Sequence, residues 1–106
     1  MSARWSIALH GGAGPIAGRD YAREEAHLAE TLKIASDLLA RGAAALDTAQ
    51  WAVRQLEDAG LYLAGRGAQA NLDGAFELDA AIMDGRTRKA GAVAALQGIE
   101  SPIDAA

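Results

Sequence analysis

The hydrophobic period of this chain changes near Gly60, from helical before it to alternating after it, and that switch predicts a mixed α+β fold. Upstream, Tyr21, Leu28, Leu32, Ala35 and Leu39 recur at helical spacing. Asp20 is placed to cap this run, Glu24 and Glu25 sit early against its positive end, and Gly42 supplies a stop. A second helix is expected from about Ala43, with Leu46, Ala49, Val53 and Leu56 on one face, ending at Gly60. Downstream, Leu61 to Gly67 is punctuated by glycine and reads as irregular. Asn71-Leu72-Asp73-Gly74 marks a turn, Phe76, Leu78, Ala80 and Ile82 alternate with more polar or smaller neighbours, and Asp84-Gly85 marks a reversal before the strand Ala90 to Leu96. At the start, Trp5 to Leu9 alternates and runs into His10-Gly11-Gly12-Ala13-Gly14-Pro15, a strand entering a glycine loop. The expected sheet is an antiparallel meander with the Trp5–Leu9 strand beside it and both helices on one face.

Ser101-Pro102 opens a further helix, with proline at the favoured first position, yet Ala106 is the last residue of the sequence. A nucleus of that length does not hold itself together. The hydrophobic half of the chain (51%) is mostly alanine, with five aromatic residues, so each buried position removes little area from water. These features lead us to expect residues 1–106 to be an N-terminal fragment of a single larger domain.

Composition excludes several classes of function. Fourteen acidic against ten basic residues give a net charge of −4, and the densest basic stretch is only Arg86, Arg88 and Lys89, which argues against nucleic-acid binding. The absence of cysteine rules out a disulfide scaffold, a thiolate zinc site and a thiol nucleophile. The longest uncharged stretch, Trp5 to Gly18, is broken by glycines and falls short of the roughly 20 apolar residues of a membrane span. A soluble cytoplasmic protein with no membrane partner is expected.

Single motifs leave their meaning open. The His10-Gly11-Gly12 loop suits an esterase-type oxyanion loop, but no Gly-x-Ser-x-Gly elbow accompanies it. The Gly-Lys-Ser/Thr ending of a phosphate loop is missing, and Gly12, Gly14 and Gly18 are spaced one residue too wide for a dinucleotide loop. A tight turn between strand and helix accounts for the loop equally well. His10 and His27 lie too far apart for a helical metal pair, and His27 reads as solvated among Arg23, Glu24 and Glu30. Asp84 is explained by its turn with Gly85 and Asp79 by a local hydrogen bond; Trp5 and Trp51 read as packing residues.

Taken in order, three segments resemble the plant-type L-asparaginase / isoaspartyl peptidase family of N-terminal-nucleophile hydrolases. They are His10-Gly11-Gly12-Ala13-Gly14, Leu56-Glu57 through Ala64-Gly65-Arg66-Gly67, and Glu77-Leu78-Asp79-Ala80-Ala81-Ile82-Met83-Asp84-Gly85 through Lys89-Ala90-Gly91-Ala92-Val93-Ala94. The resemblance implies a partial αββα sandwich, two consecutive helices on a mainly antiparallel sheet, within a domain about three times as long. It implies an autoproteolytic hydrolase of L-asparagine or β-aspartyl dipeptides whose N-terminal threonine nucleophile lies outside this chain. Thr31 and Thr48 fall on helices and Thr87 beside a turn, so none replaces it.

The same resemblance places His10, Gly11 and Gly12 near the active site and implies no required cofactor. It implies a structural Na+ held by the carbonyls of Leu56, Glu57, Ala59, Tyr62, Ala64 and Arg66. The partners implied are the rest of the α-subunit and the β-subunit, with αβ units pairing as a homodimer. One departure stands out: the family's Phe-Asn-Ala-Gly is Tyr62-Leu63-Ala64-Gly65 here, with leucine replacing asparagine. The alternative is a stand-alone, non-catalytic α/β binding module derived from the family.

Overall fold

Helix α1, Ala22–Ala40, forms where the helical spacing of apolar residues begins. Asp20 accepts a hydrogen bond from the Ala22 N–H at 2.9 Å, which satisfies one orphan donor of the first turn from outside the helix. The helix ends in a Schellman turn: the N–H groups of Gly42 and Ala43 donate to the carbonyls of Leu39 and Leu38, each at 3.0 Å, with Gly42 at φ 94°. Helix α2, Ala45–Ala59, follows and stops at Gly60, whose φ of 71° lies in the left-handed region. These elements belong to a computed structural model of the chain, which describes residues 4–13 and 16–106.

A single 3-10 turn, Gly65–Gly67, leads to the hairpin of β1, Leu78–Met83, and β2, Ala90–Leu96. Asn71 organises the preceding turn, its side-chain oxygen accepting from the N–H groups of Asp73 and Ala75. Asp84 does the same at the hairpin tip, accepting from the Arg86 N–H at 2.9 Å while its own N–H reaches the Lys89 carbonyl. The strands pair antiparallel with Ala81 opposite Ala92, and a bulge falls between Leu78 and Ala80. Asp79 accepts the Ala95 N–H at 2.7 Å there, so its hydrogen bond crosses the hairpin instead of staying local. Helix α3, Pro102–Ala105, closes the chain with proline in its first turn, as the sequence predicts.

Two expectations are corrected, and part of a third lies outside the described residues. Trp5 to Leu9 is no strand: among the described residues the sheet has two strands, β1 and β2, and the segment pairs with neither. Its alternation survives as half-buried Ile7 and Leu9 between exposed neighbours, but a strand needs a hydrogen-bonding partner as well as a period. Trp5 is accordingly 44% exposed. The helices also do not share one sheet face. α1 packs on α2, while α2 and α3 reach β1. Gly14 and Pro15 of the expected glycine loop lie outside the described residues.

The interior is small. Among the described residues Ala35, Ala52, Tyr62, Pro102 and Ile103 are its buried apolar members, joined by the polar Thr31, Thr48, Glu57 and Ser101. On α2 the buried side runs through Thr48, Ala52 and Glu57, whereas Val53 of the expected apolar face is 37% exposed.

Candidate functional site

Tyr62 is the residue on which the first two sequence motifs converge. It is 7% exposed, and its ring lies where a Cβ on Gly11 would come within 3.2 Å of it. A Cβ there would make a tighter contact than most, so glycine eases the close approach of the His10–Gly12 loop to the segment that follows α2. The phenol hydroxyl donates to the Glu24 carbonyl at 3.2 Å and lies 2.9 Å from the His27 Nδ1. With its own proton given to Glu24, the hydroxyl accepts from His27. Histidine 27 is therefore half-buried and bonded, not solvated as its charged neighbours in sequence suggest. Burial, with a smaller contribution from the charge of Glu24, raises the Tyr62 pKa above its ordinary value, so the hydroxyl keeps its proton at neutral pH.

Beside this contact lies an open cleft of about 730 Å³. His10, Gly11 and Gly12 form one wall, and Leu61, Tyr62 and Leu63 form another. Gly12 adopts φ 122°, and its N–H donates to the His10 Nδ1 at 3.1 Å, fixing the turn of the loop. Leu63 is 74% exposed and presents an apolar surface to the cleft. Of the residues implied as cation ligands, Leu56, Glu57, Tyr62 and Ala64 border the cleft. Arg66 instead points its exposed guanidinium at Glu100, 3.1 Å away.

The loop closes tightly on itself. A Cβ on Gly65 would stand 2.5 Å from the Glu57 carbonyl oxygen, and one on Gly67 would collide with the Tyr62 carbonyl. Both carbonyls therefore lie inside the turn. Leu56, Glu57 and Ala59 belong to the last turn of α2, where helix geometry leaves carbonyls unpaired. Among the described residues no backbone N–H beyond the helix donates to them, in contrast to the closed end of α1. Of the carbonyls that follow the helix, that of Ala64 accepts from the Gly67 N–H at 3.0 Å. No cluster of His, Asp or Glu among the described residues offers a side-chain metal site.

The Glu57 side chain is the feature that sequence reasoning missed. At 3% exposure it turns away from the cleft and accepts from the Ser101 hydroxyl and the Ile103 N–H, each at 3.1 Å. Burial raises its pKa against the opposing pull of these two hydrogen bonds. It thereby supplies from α2 the cap that Ser101, with no side-chain bond to α3, does not make. A signal was present: Glu57 follows Leu56 and lies four residues after Val53, a charge set on the apolar face of α2. No nucleophile faces the cleft from the threonines. Thr31 and Thr48 are buried, Thr48 donating to the Ala44 carbonyl, and Thr87 accepts from the Lys89 N–H.

Residues 3–106 match the asparaginase family model. The chain is 44% identical to an isoaspartyl peptidase of Salmonella typhimurium, over 94% of this chain and 34% of that protein. It is 37% identical to a plant-type L-asparaginase of Pyrococcus abyssi, over 95% of this chain and 33% of that protein. An isoaspartyl peptidase/L-asparaginase of Xenopus laevis is 39% identical, over 92% of this chain and 31% of its own length. The chain thus spans about a third of the length of the curated relatives it matches. With the family match running almost end to end, the chain belongs to the plant-type L-asparaginase / isoaspartyl peptidase family.

Proposed function

We propose that residues 1–106 form the N-terminal, α-subunit part of a larger amidohydrolase domain that cleaves the side-chain amide of L-asparagine or β-aspartyl dipeptides. The observation that carries this reading is the cleft in which His10–Gly12 and Leu61–Leu63 face each other across a glycine–tyrosine contact. The chain's part in the chemistry is to shape that wall. The nucleophile is a threonine freed by autoproteolysis and supplied by the β-subunit, because attack needs an activated hydroxyl within reach of a base and this segment offers none. In the same reading the unpaired carbonyls at the end of α2 hold a structural Na+, and αβ units pair as a homodimer in the cytoplasm.

A graft tests it. Residues 3–106 replace the matching segment of the Salmonella isoaspartyl peptidase, and the hydrolysis of a β-aspartyl dipeptide is measured. Turnover by the graft supports the reading. A graft that folds and processes itself yet turns nothing over favours a non-catalytic binding module instead.

A further inference from the structure

Glu57 touches three parts of the molecule that are far apart in sequence. Its carboxylate holds Ser101 and Ile103 at the start of α3. Its carbonyl is packed under Gly65, which takes φ 53° with no room for a side chain. Beyond Gly65, Gly67 presses on the carbonyl of Tyr62, whose ring packs against Gly11. Every step of this path is a close contact of buried or sterically locked groups, not mere nearness in space. Glu57 also borders both the 730 Å³ cleft and a second cleft of about 430 Å³ that Leu63, Leu78 and Pro102 line on the other side.

We propose that Glu57 is a positioning residue that ties α3 to the Leu61–Ala64 wall of the cleft, its carboxylate anchoring one end and its backbone the other. Packed interiors transmit displacement because they hold discrete arrangements and few voids. Release of the carboxylate from Ser101 and Ile103 lets the end of α2 shift, and Gly65 and Gly67 have no slack to absorb the movement. The proposal rests on the functional reading only in treating Leu61–Ala64 as a wall of the active cleft.

Hydrogen exchange of the full chain tests it through amides at the far end of the path. The Gly67 N–H donates to Ala64 and the Ala68 N–H to Gly65, while the Ala106 N–H reports on α3. Glu57→Gln keeps the size of the side chain but replaces two charge-assisted bonds with neutral ones, its oxygen accepting from Ile103 and Ser101 left to accept instead of donate. The expected result is faster exchange at Ala106 together with roughly five- to tenfold faster exchange at Gly67 and Ala68, the factor that one net hydrogen bond is worth. Ser101→Ala removes a single partner and leaves the 56–67 loop untouched; it gives the same pattern at smaller size. Faster exchange confined to α3, in either variant, makes Glu57 a local cap and overturns the proposal. Ser101→Ala decides the matter alone if Glu57→Gln does not fold. A graft without turnover would sink the functional reading while leaving these exchange rates as they are.

Discussion

Tyr62 concentrates more of the site than any other side chain, and its hydroxyl is the part that can be removed alone. Tyr62→Phe keeps the ring against Gly11 but leaves His27 Nδ1 without its partner, while the Glu24 carbonyl, inside α1, loses only a second donor. The expected loss is about 1–3 kcal/mol in a denaturant titration. Leu63 behaves differently. At 74% exposure it fills no pocket in this structure, so Leu63→Asn is expected to change stability by no more than about 0.5 kcal/mol. In the active graft the same change is expected to raise turnover, since a polar amide near the reacting carbonyl can orient charge where leucine cannot; such donors are worth about 2.7–4 kcal/mol. A lower melting midpoint with no gain in rate rejects that role.

Asp104 contributes to the pH dependence of α3 alongside the capping carboxylate of Glu57. Its pKa is held below the ordinary carboxylate value by a hydrogen bond from Gln50 and by the guanidinium of Arg54. A depressed folded pKa contributes stability above the unfolded value and loses it as pH falls through the folded one. Acidification below the usual carboxylate range is therefore expected to speed Ala106 amide exchange, and Asp104→Asn to flatten that dependence. The pair is exposed to solvent, so added salt weakens the effect.

Elements were legible in the sequence wherever period and punctuation agreed. Both helices end at the glycines that predict their ends, and β2 spans Ala90–Leu96 as its small-residue run implies. Asp84-Gly85 makes the hairpin tip because the side chain of Asp84 can bond the backbone two residues on. Partnership is what the sequence concealed. Nothing in Trp5 to Leu9 says whether a neighbouring strand exists, and nothing local shows that Glu57 meets Ser101 across 44 residues. His27 was hidden likewise, its partner Tyr62 lying 35 residues on. Two turn glycines, Gly74 after Asn71 and Gly67 in the 56–67 loop, give a prediction at this scale. Gly74, at φ 80° with open space around it, is expected to lose about 1–2 kcal/mol on replacement by alanine, the left-handed penalty alone. Gly67→Ala is expected to cost more than that although no positive φ is involved, because the new Cβ meets the Tyr62 carbonyl. Thermal melts of the two variants check the order.

The molecule as a whole is more open than a finished domain of its size. Its radius of gyration is 15.1 Å, against about 13 Å for a compact chain of 100 residues. No large side chain among the described residues is fully buried, and Phe76 and Met83 are each 58% exposed. Exposed apolar side chains of this size mark surface that can take further packing. Among the described residues, no helix is long and apolar enough to cross a membrane. Under the proposed function, residues 1–106 shape an amide-hydrolysing cleft whose nucleophile comes from elsewhere. Purified residues 1–106, assayed with L-asparagine and a β-aspartyl dipeptide, test it most directly. No release of ammonia or aspartate above a heat-treated blank is expected. Turnover that co-purifies with the chain and disappears on substitution of Thr31, Thr48 or Thr87 would contradict it.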